Sequence, residues 1–374
     1  MIRAGIVAII AAVILSFHCS GARAAEVSRI ALPNGVRLLL SPAVSADLVA
    51  ISICIRTEPD RLPIDDAAGE LVARTLFSSS LNRSQEKMAA GISLVGGSIE
   101  TVRTAEHVDI TCVMLPAQVR VAIYLRCEVR KNAQFGALDR TRAELVAEQA
   151  RGGLGIAGGL DVLRRELQAR PDVSDVPYAR VTREQAKTYF HARYVPAHTA
   201  IAVVGQFDKA TIQTAFRDSL ADFDRVGARS ARNSPLYSHA TNYPTRNLSQ
   251  PGISGYALVA TPAPALSDVD YPAFAVLKSV LGEGHASRLF QRLRDAQGIG
   301  YNVGAAWQTS LSDPLVAYLQ WEVRPRAARG NNAKSESRLT PETALRLLTA
   351  QIDGLISEPP TEAEVQREIG RAHV

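Results

Sequence analysis

The sequence predicts an α+β protein built as two tandem homologous domains, each with helices packed on an antiparallel sheet. Three observations carry that prediction. Strand-like and helix-like segments follow the same order in both halves. A glycine-led strand pair at 96–114 is matched by another at 298–323. A polar stretch rich in Asn, Ser and Pro at 226–249 separates the halves and reads as a linker. A unit that recurs in one chain points to duplication of a single layered architecture. The expected division is residues 25–225, a linker at 226–249, and a second domain at 250–374.

Each element has a local reason. Ser28–Leu32 and Val36–Leu40 flank Asn34-Gly35, the turn chemistry of a hairpin. Val49–Arg56 alternates apolar and polar residues, the period of a half-buried strand. Asp65–Phe77 changes to helical spacing, with Leu71, Val72, Leu76 and Phe77 apolar. Ser84–Leu94 reads as a second helix, stopped by Gly96-Gly97. Ser98–Val102 and His107–Met114 are β-rich. Helices are expected near 117–132, 138–151 and 157–168, and another opens at Thr182. The strand Thr199–Val204 and the helix Lys209–Leu220 close this half. Beyond the linker come a strand at Ile253–Ala260 and helices at Tyr271–Leu281 and Ser287–Leu293. The strand pair Gly298–Gln308 and Pro314–Val323 follows, then the helix Pro341–Ile356, with Pro360-Thr361 opening the next. Residues 324–338, rich in Arg, Asn, Lys and Ser, read as an exposed loop.

Composition excludes several classes. Of 374 residues, 47% are hydrophobic and 21% charged, which is unlike a disordered, collagen-like or polytopic membrane chain. The net charge of +5 is spread thinly, with no basic stripe interleaved with aromatics, so no nucleic-acid partner is expected. No phosphate-cradling Gly loop with Lys-Ser/Thr is present.

Residues 1–24 read as a secretory signal. Arg3 is the only charge in the first 22 residues, Ile6–Leu15 is apolar, and Ala22-Arg23-Ala24 offers small residues at a cleavage site. The apolar run is shorter than the roughly 20 residues a membrane span needs. A cut after Ala24 leaves 350 residues at a net charge of +3, periplasmic or secreted, with no membrane segment. Cys54, Cys112 and Cys127 then remain, an odd set without metal or scaffold spacing. Buried, reduced thiols are expected, with a Cys112–Cys127 bridge open as an alternative in an oxidising compartment.

Four strings, in order, carry a resemblance. They are Leu32-Pro33-Asn34-Gly35-Val36-Arg37-Leu38, then Val181-Thr182-Arg183-Glu184 with Tyr194-Val195-Pro196, then Val203-Val204-Gly205-Gln206-Phe207-Asp208. The fourth runs Val280-Leu281-Gly282-Glu283-Gly284-His285-Ala286-Ser287-Arg288-Leu289-Phe290-Gln291, Leu293-Arg294 and Gly298-Ile299-Gly300-Tyr301. Together they resemble the insulinase/pitrilysin-type zinc peptidases, the group of mitochondrial processing peptidase. The resemblance covers about residues 28–366 and implies the LuxS/processing-peptidase-like metalloenzyme fold.

It also implies a place for chemistry. The family carries an inverted His-x-x-Glu-His motif on its first long helix. Two His at i and i+4 ligate Zn²⁺ on one helix face, and the Glu beside them activates the metal-bound water. Aligning Leu76-Phe77 with the Leu-Phe that follows that motif puts Glu70, Ala73 and Arg74 where His, Glu and His belong. Glu148 falls at the position of the family's third ligand. The general base is absent, and a permanent cation stands at a ligand position. No metal is therefore expected in this chain. Arg74 is instead expected to pair with Glu70, its i−4 neighbour, and with Glu148, in the space of the metal. The alternative is three ordinary solvated helix residues.

The resemblance further assigns a peptide-holding Arg and Tyr to Arg288 and Tyr301. A guanidinium fork and a phenol donate to a backbone carbonyl without reading side chains.

Three readings follow. The first is a non-catalytic, substrate-binding subunit of a periplasmic two-subunit zinc peptidase, with zinc in a homologous partner that bears the motif. Its substrate would be an extended peptide bound as an added strand. The second is a structural or scaffolding homologue. The third is a self-sufficient zinc peptidase, which Ala73 opposes most directly. The second domain is expected to be incomplete, because about 75 residues follow Glu148 in the first half, whereas the chain ends soon after the equivalent Glu362–Arg367.

Overall fold

A computed structural model describes residues 27–371, apart from 44–45, 58–61, 95–98, 105, 125–132, 151–154, 168–172, 222, 224–253, 308–313 and 323–338. The signal segment, Gly96-Gly97, Cys127, the linker and the 324–338 loop lie outside the described residues. The chain divides into two compact units. The N-terminal unit joins Arg23–Ala150 to Ala169–Ser234, and the C-terminal unit joins Arg151–Gln168 to Pro235–Val374.

The N-terminal unit is built on a six-stranded sheet. Its strands are β1 (Ser28–Ala31), β2 (Arg37–Pro42), β3 (Val49–Arg56), β4 (Ile99–Arg103), β5 (His107–Met114) and β6 (Thr199–Gly205), in the order β1-β2-β6-β3-β5-β4. Gly35 supplies the left-handed φ of +97° that lets Asn34-Gly35 turn β1 into β2. The sheet is mixed rather than purely antiparallel. Strand β6 arrives after the helices and inserts between β2, to which it is parallel, and β3, to which it is antiparallel. The period of two in β3 sends Val49, Ile51, Ile53 and Ile55 into the core and leaves Cys54 half-buried on the opposite face. Burial, reinforced by Asp109, pushes the Cys54 thiol up to about 12, so it stays protonated and unreactive. Cys112 is also a free thiol.

Against the sheet lie α1 (Pro63–Thr75), α2 (Gln85–Leu94), α3 (Leu138–Ala150), α5 (Arg183–Arg193) and α6 (Lys209–Ser219). Helix α1 begins on Pro63, with Asp65 and Asp66 in its first turn and Arg74 in its last, the charge order its dipole favours. Its Leu71 and Val72 are fully buried, each contributing about 1.5–3 kcal/mol. Helix α5 opens on a capping box between Thr182 and Gln185.

Helix α4 (Gly155–Leu167) is shared out differently from its place in the sequence. By position it belongs to the first half, but it packs in the C-terminal unit. Sequence position does not say which sheet an apolar face will cover. Gly159 shows the reason for the fit: a Cβ there would meet Leu258 Cδ1 at 2.8 Å.

The C-terminal unit has three described strands, β7 (Ser254–Thr261), β8 (Asn302–Ala306) and β9 (Leu315–Glu322), in the antiparallel order β7-β9-β8. Helices α7 (Tyr271–Gly282), α8 (Pro341–Ser357) and α9 (Glu362–Arg371) accompany them. The core is formed by Leu281, Leu289, Leu293, Leu319 and Leu348. The expected helix at Ser287–Leu293 is a π-turn over Phe290–Asp295, closed by Ala296 N–H donating to Gln291 O at 2.9 Å. Such a widened turn spaces its side chains unlike an α-helix and recurs at functional sites.

Candidate functional site

The first candidate lies on α1. Arg74 Nε donates to Glu70 Oε1 at 2.7 Å, and Arg74 Nη1 donates to Glu148 Oε1 and Oε2 at 3.3 and 3.2 Å. Glu70 and Arg74 meet because residues four apart share a helix face. Glu148 reaches them from α3, which packs on α1. The expected cluster therefore forms. The alternative of three separately solvated residues does not hold.

The cluster extends further than the sequence suggested. Arg103, the last residue of β4, donates to Asp66 Oδ1 at 2.9 Å and stands 3.6 Å from Glu70 Oε2. Asp66 is 0% and Arg103 4% exposed at the side chain, whereas Arg74 is 41% exposed. Alternating charges thus run outward as Asp66, Arg103, Glu70, Arg74, Glu148. Burial pushes Glu70 up, but Arg103 and Arg74 outweigh it and hold the carboxyl below its ordinary value. Gly69 makes room for this arrangement. A Cβ there would stand 2.8 Å from Arg103 Nη2 and 2.7 Å from the Tyr189 hydroxyl. The helical spacing of α1 showed Glu70 and Arg74. Arg103 comes from a strand about thirty residues on, and only the sheet register brings it under α1.

These residues do not fit zinc. Both carboxylates at ligand positions accept from Arg74, and Ala73 offers no group to activate water. Among the described residues no group of three or more His, Cys, Asp or Glu could hold a metal ion.

The second candidate surrounds the π-turn of the C-terminal unit. The structure gives Arg288 and Tyr301 different neighbours. Arg288 is buried. Its Nε and Nη2 donate to the two Glu364 oxygens, both at 2.8 Å, and its Nη1 and Nη2 donate to Glu358 O and Pro359 O at 2.6 and 3.2 Å. Glu364 also accepts from Thr361 N–H at 2.8 Å, as the capping residue of α9. This network, led by the Arg288 hydrogen bond, pulls Glu364 down to about 2. Arg292 Nη2 adds a 2.7 Å contact to Glu358. Arg288 and Arg292 thus fasten the π-turn to the corner between α8 and α9. The Arg288 fork, expected as a peptide contact, is thus already engaged inside the chain.

Tyr301 is 81% exposed and stands immediately before β8. The guanidinium beside it is that of Arg294, whose Cζ lies 4.7 Å from the Tyr301 ring centroid and 4.4 Å from that of Phe290. His285 stacks on Phe290 at 4.6 Å. Among the described residues, no carboxylate or carbonyl accepts from the Arg294 side chain. The signal was present in the sequence as Leu293-Arg294, but a π-turn cannot be read from residue spacing.

The fold and these sites define an α+β, metallopeptidase-like chain whose metal positions are filled by an ion-pair network. Residues 180–371, just over half of the chain, match the family described as the Peptidase M16 inactive domain, and the chain belongs to that family. An uncharacterized zinc protease of Mycobacterium leprae is 26% identical over 302 residues, 76% of this chain and 66% of that protein. One of Streptomyces coelicolor is 23% identical over 298 residues, 74% of this chain and 63% of that protein. The chain therefore spans slightly less than two thirds of these relatives' length.

Solved structures share the fold. A protease from Helicobacter pylori superposes with a TM-score of 0.71 at 13% identity, covering 92% of this chain and 83% of that one. A peptidase M16 inactive domain from Pseudomonas fluorescens gives 0.69 at 16% identity, covering 93% and 86%. The periplasmic protease PqqL from Escherichia coli gives 0.63 at 16% identity, covering 92% of this chain but 39% of that one. No described helix is long and apolar enough to cross a membrane.

Proposed function

We propose that this chain is the non-catalytic, substrate-binding subunit of a periplasmic two-subunit zinc metallopeptidase. The observation that carries the reading is Arg74, a permanent cation bonded to both carboxylates that would otherwise face a metal. Zinc and general base come from a homologous partner with an intact His-x-x-Glu-His motif. This chain supplies peptide contacts in trans. An extended peptide adds to the edge of β8, which among the described strands pairs only with β9, and passes Tyr301 at the start of that strand. The Tyr301 hydroxyl and the Arg294 fork donate to its oxygens and orient it. Arg288 contributes from behind by seating the turn. The secretory pattern of residues 1–24 supports a periplasmic location.

The test is peptide cleavage by this chain, by the motif-bearing homologue, and by the mixture, each with and without a chelator. Cleavage by the mixture alone, lost on chelation and on Arg294→Ala, is the expected result. Cleavage by this chain alone would overturn the reading. Equal cleavage by the homologue with and without this chain would favour a scaffolding role.

A further inference from the structure

The two units repeat the same three strands. Strand β3 pairs antiparallel with β5, and β5 with β4, as β7 pairs with β9 and β9 with β8. The lengths agree, at eight residues for β3 and β7 and five for β4 and β8. Strand β7 therefore holds the place of β3. The difference lies on its far side. There β3 is paired with β6, whereas β7, among the described strands, pairs only with β9.

Packing follows that difference. All four core-facing residues of β3 are buried. On the core face of β7, Ala257 is buried but Val259 only half-buried. Helix α8 packs on β7, and outside its buried Ala344 and Leu348 it carries half-buried Leu345 and Ile352 and an 84% exposed Ile356. The core is thus incompletely covered at this edge. The edge is also undefended. The outer strands of the N-terminal unit carry charges, Arg29 on β1 and Glu100 on β4. Strand β7, Ser-Gly-Tyr-Ala-Leu-Val-Ala-Thr, has no charge and no proline, the residues that keep sheet edges from pairing with another chain.

A second β7 is a complementary partner. Antiparallel pairing is two-fold symmetric, so one patch serves both copies. A register centred on Ala257 or Leu258 sets like faces together, with no charge opposing another. We propose that two copies of this chain join edge to edge through β7, in one sheet of order β8-β9-β7-β7-β9-β8. Six strands result, the number in the N-terminal sheet. Strand β8 stays at the two outer ends, open to the peptide of the reading above, on which this inference does not depend.

The test is sedimentation velocity of the full chain from low to high concentration, with hydrogen exchange of the β7 amides at both ends of the range. A monomer–dimer equilibrium is expected. The β7 amides that do not bond to β9 should exchange at least about tenfold more slowly in the dimer. Ser254→Lys with Ala260→Lys places charges at two half-buried positions of β7 and should weaken dimerisation at least about tenfold, with the melting temperature of the monomer unchanged. Exchange in the wild type decides the question even if that variant does not fold. A monomer at every concentration would overturn the proposal. A dimer whose β7 amides exchange as in the monomer would overturn it too, because its interface lies elsewhere. So would β7 amides already protected in the monomer, because the edge is then filled from within the chain.

Discussion

Arg74 and Arg294 are two guanidinium groups with opposite surroundings. On α1, Arg74 meets Glu70 and Glu148, and its charge is matched inside the protein. At the π-turn, Arg294 meets Phe290 and Tyr301, and its charge is held in place but left unmatched. The first arrangement closes a place where chemistry is expected. The second leaves a donor set without an acceptor among the described residues, which the proposed peptide would supply. A charged residue at a family's functional position is therefore informative only with its partners. Acidic partners make it structural, whereas aromatic partners make it available.

The largest effect should come from the buried end of the α1 network. Arg103→Met leaves Asp66 charged and fully buried, with Glu70 short of one partner. A loss of about 3–5 kcal/mol is expected in urea unfolding, the usual cost of breaking a buried ion pair by removing one member. A loss below 1 kcal/mol would show that the network is not held from Arg103.

Arg288→Ala should follow, at about 2–3 kcal/mol, since it removes charged hydrogen bonds to Glu364 and to two carbonyls. Arg288→Lys should not rescue it, because an ammonium cannot reproduce the fork. If Arg288 were itself the peptide contact, its loss would abolish binding with stability intact.

The same clasp gives a pH signature. The folded Glu364 carboxyl sits near 2, below its ordinary value of 4.5. A depressed pKa means that the contribution is fully present above about 4.5 and fades as pH falls toward 2. The melting temperature of the wild type should therefore fall more steeply over that window than that of Glu364→Gln. Parallel curves would argue against the clasp.

The smallest effect should be Arg74→Ala. Arg74 and Glu148 are both substantially exposed, and Arg103 remains near Glu70. About 1 kcal/mol or less is expected, diminished further by salt.

Much of this was legible in the sequence, and the misses have physical causes. Period two in Val49–Arg56 and helical spacing around Leu71 and Val72 gave β3 and α1, because one-sided burial writes itself into local spacing. Glu70 and Arg74 followed from the i,i+4 rule. Three things were not local. Strand β6 inserting parallel to β2 is a choice of tertiary pairing. Helix α4 covering the other unit's sheet depends on Gly159 fitting Leu258. The contact of Arg294 with Tyr301 lies at a π-turn, whose widened spacing is not written in the local periodicity.

The central claim is that Arg74 is closed and Arg294 open. It is tested most directly by titrating one labelled, free-acid extended peptide into Arg74→Ala and Arg294→Ala side by side. Wild-type affinity in Arg74→Ala and at least a tenfold loss in Arg294→Ala is the predicted result. Full affinity in Arg294→Ala, or an equal loss in both variants, would contradict it.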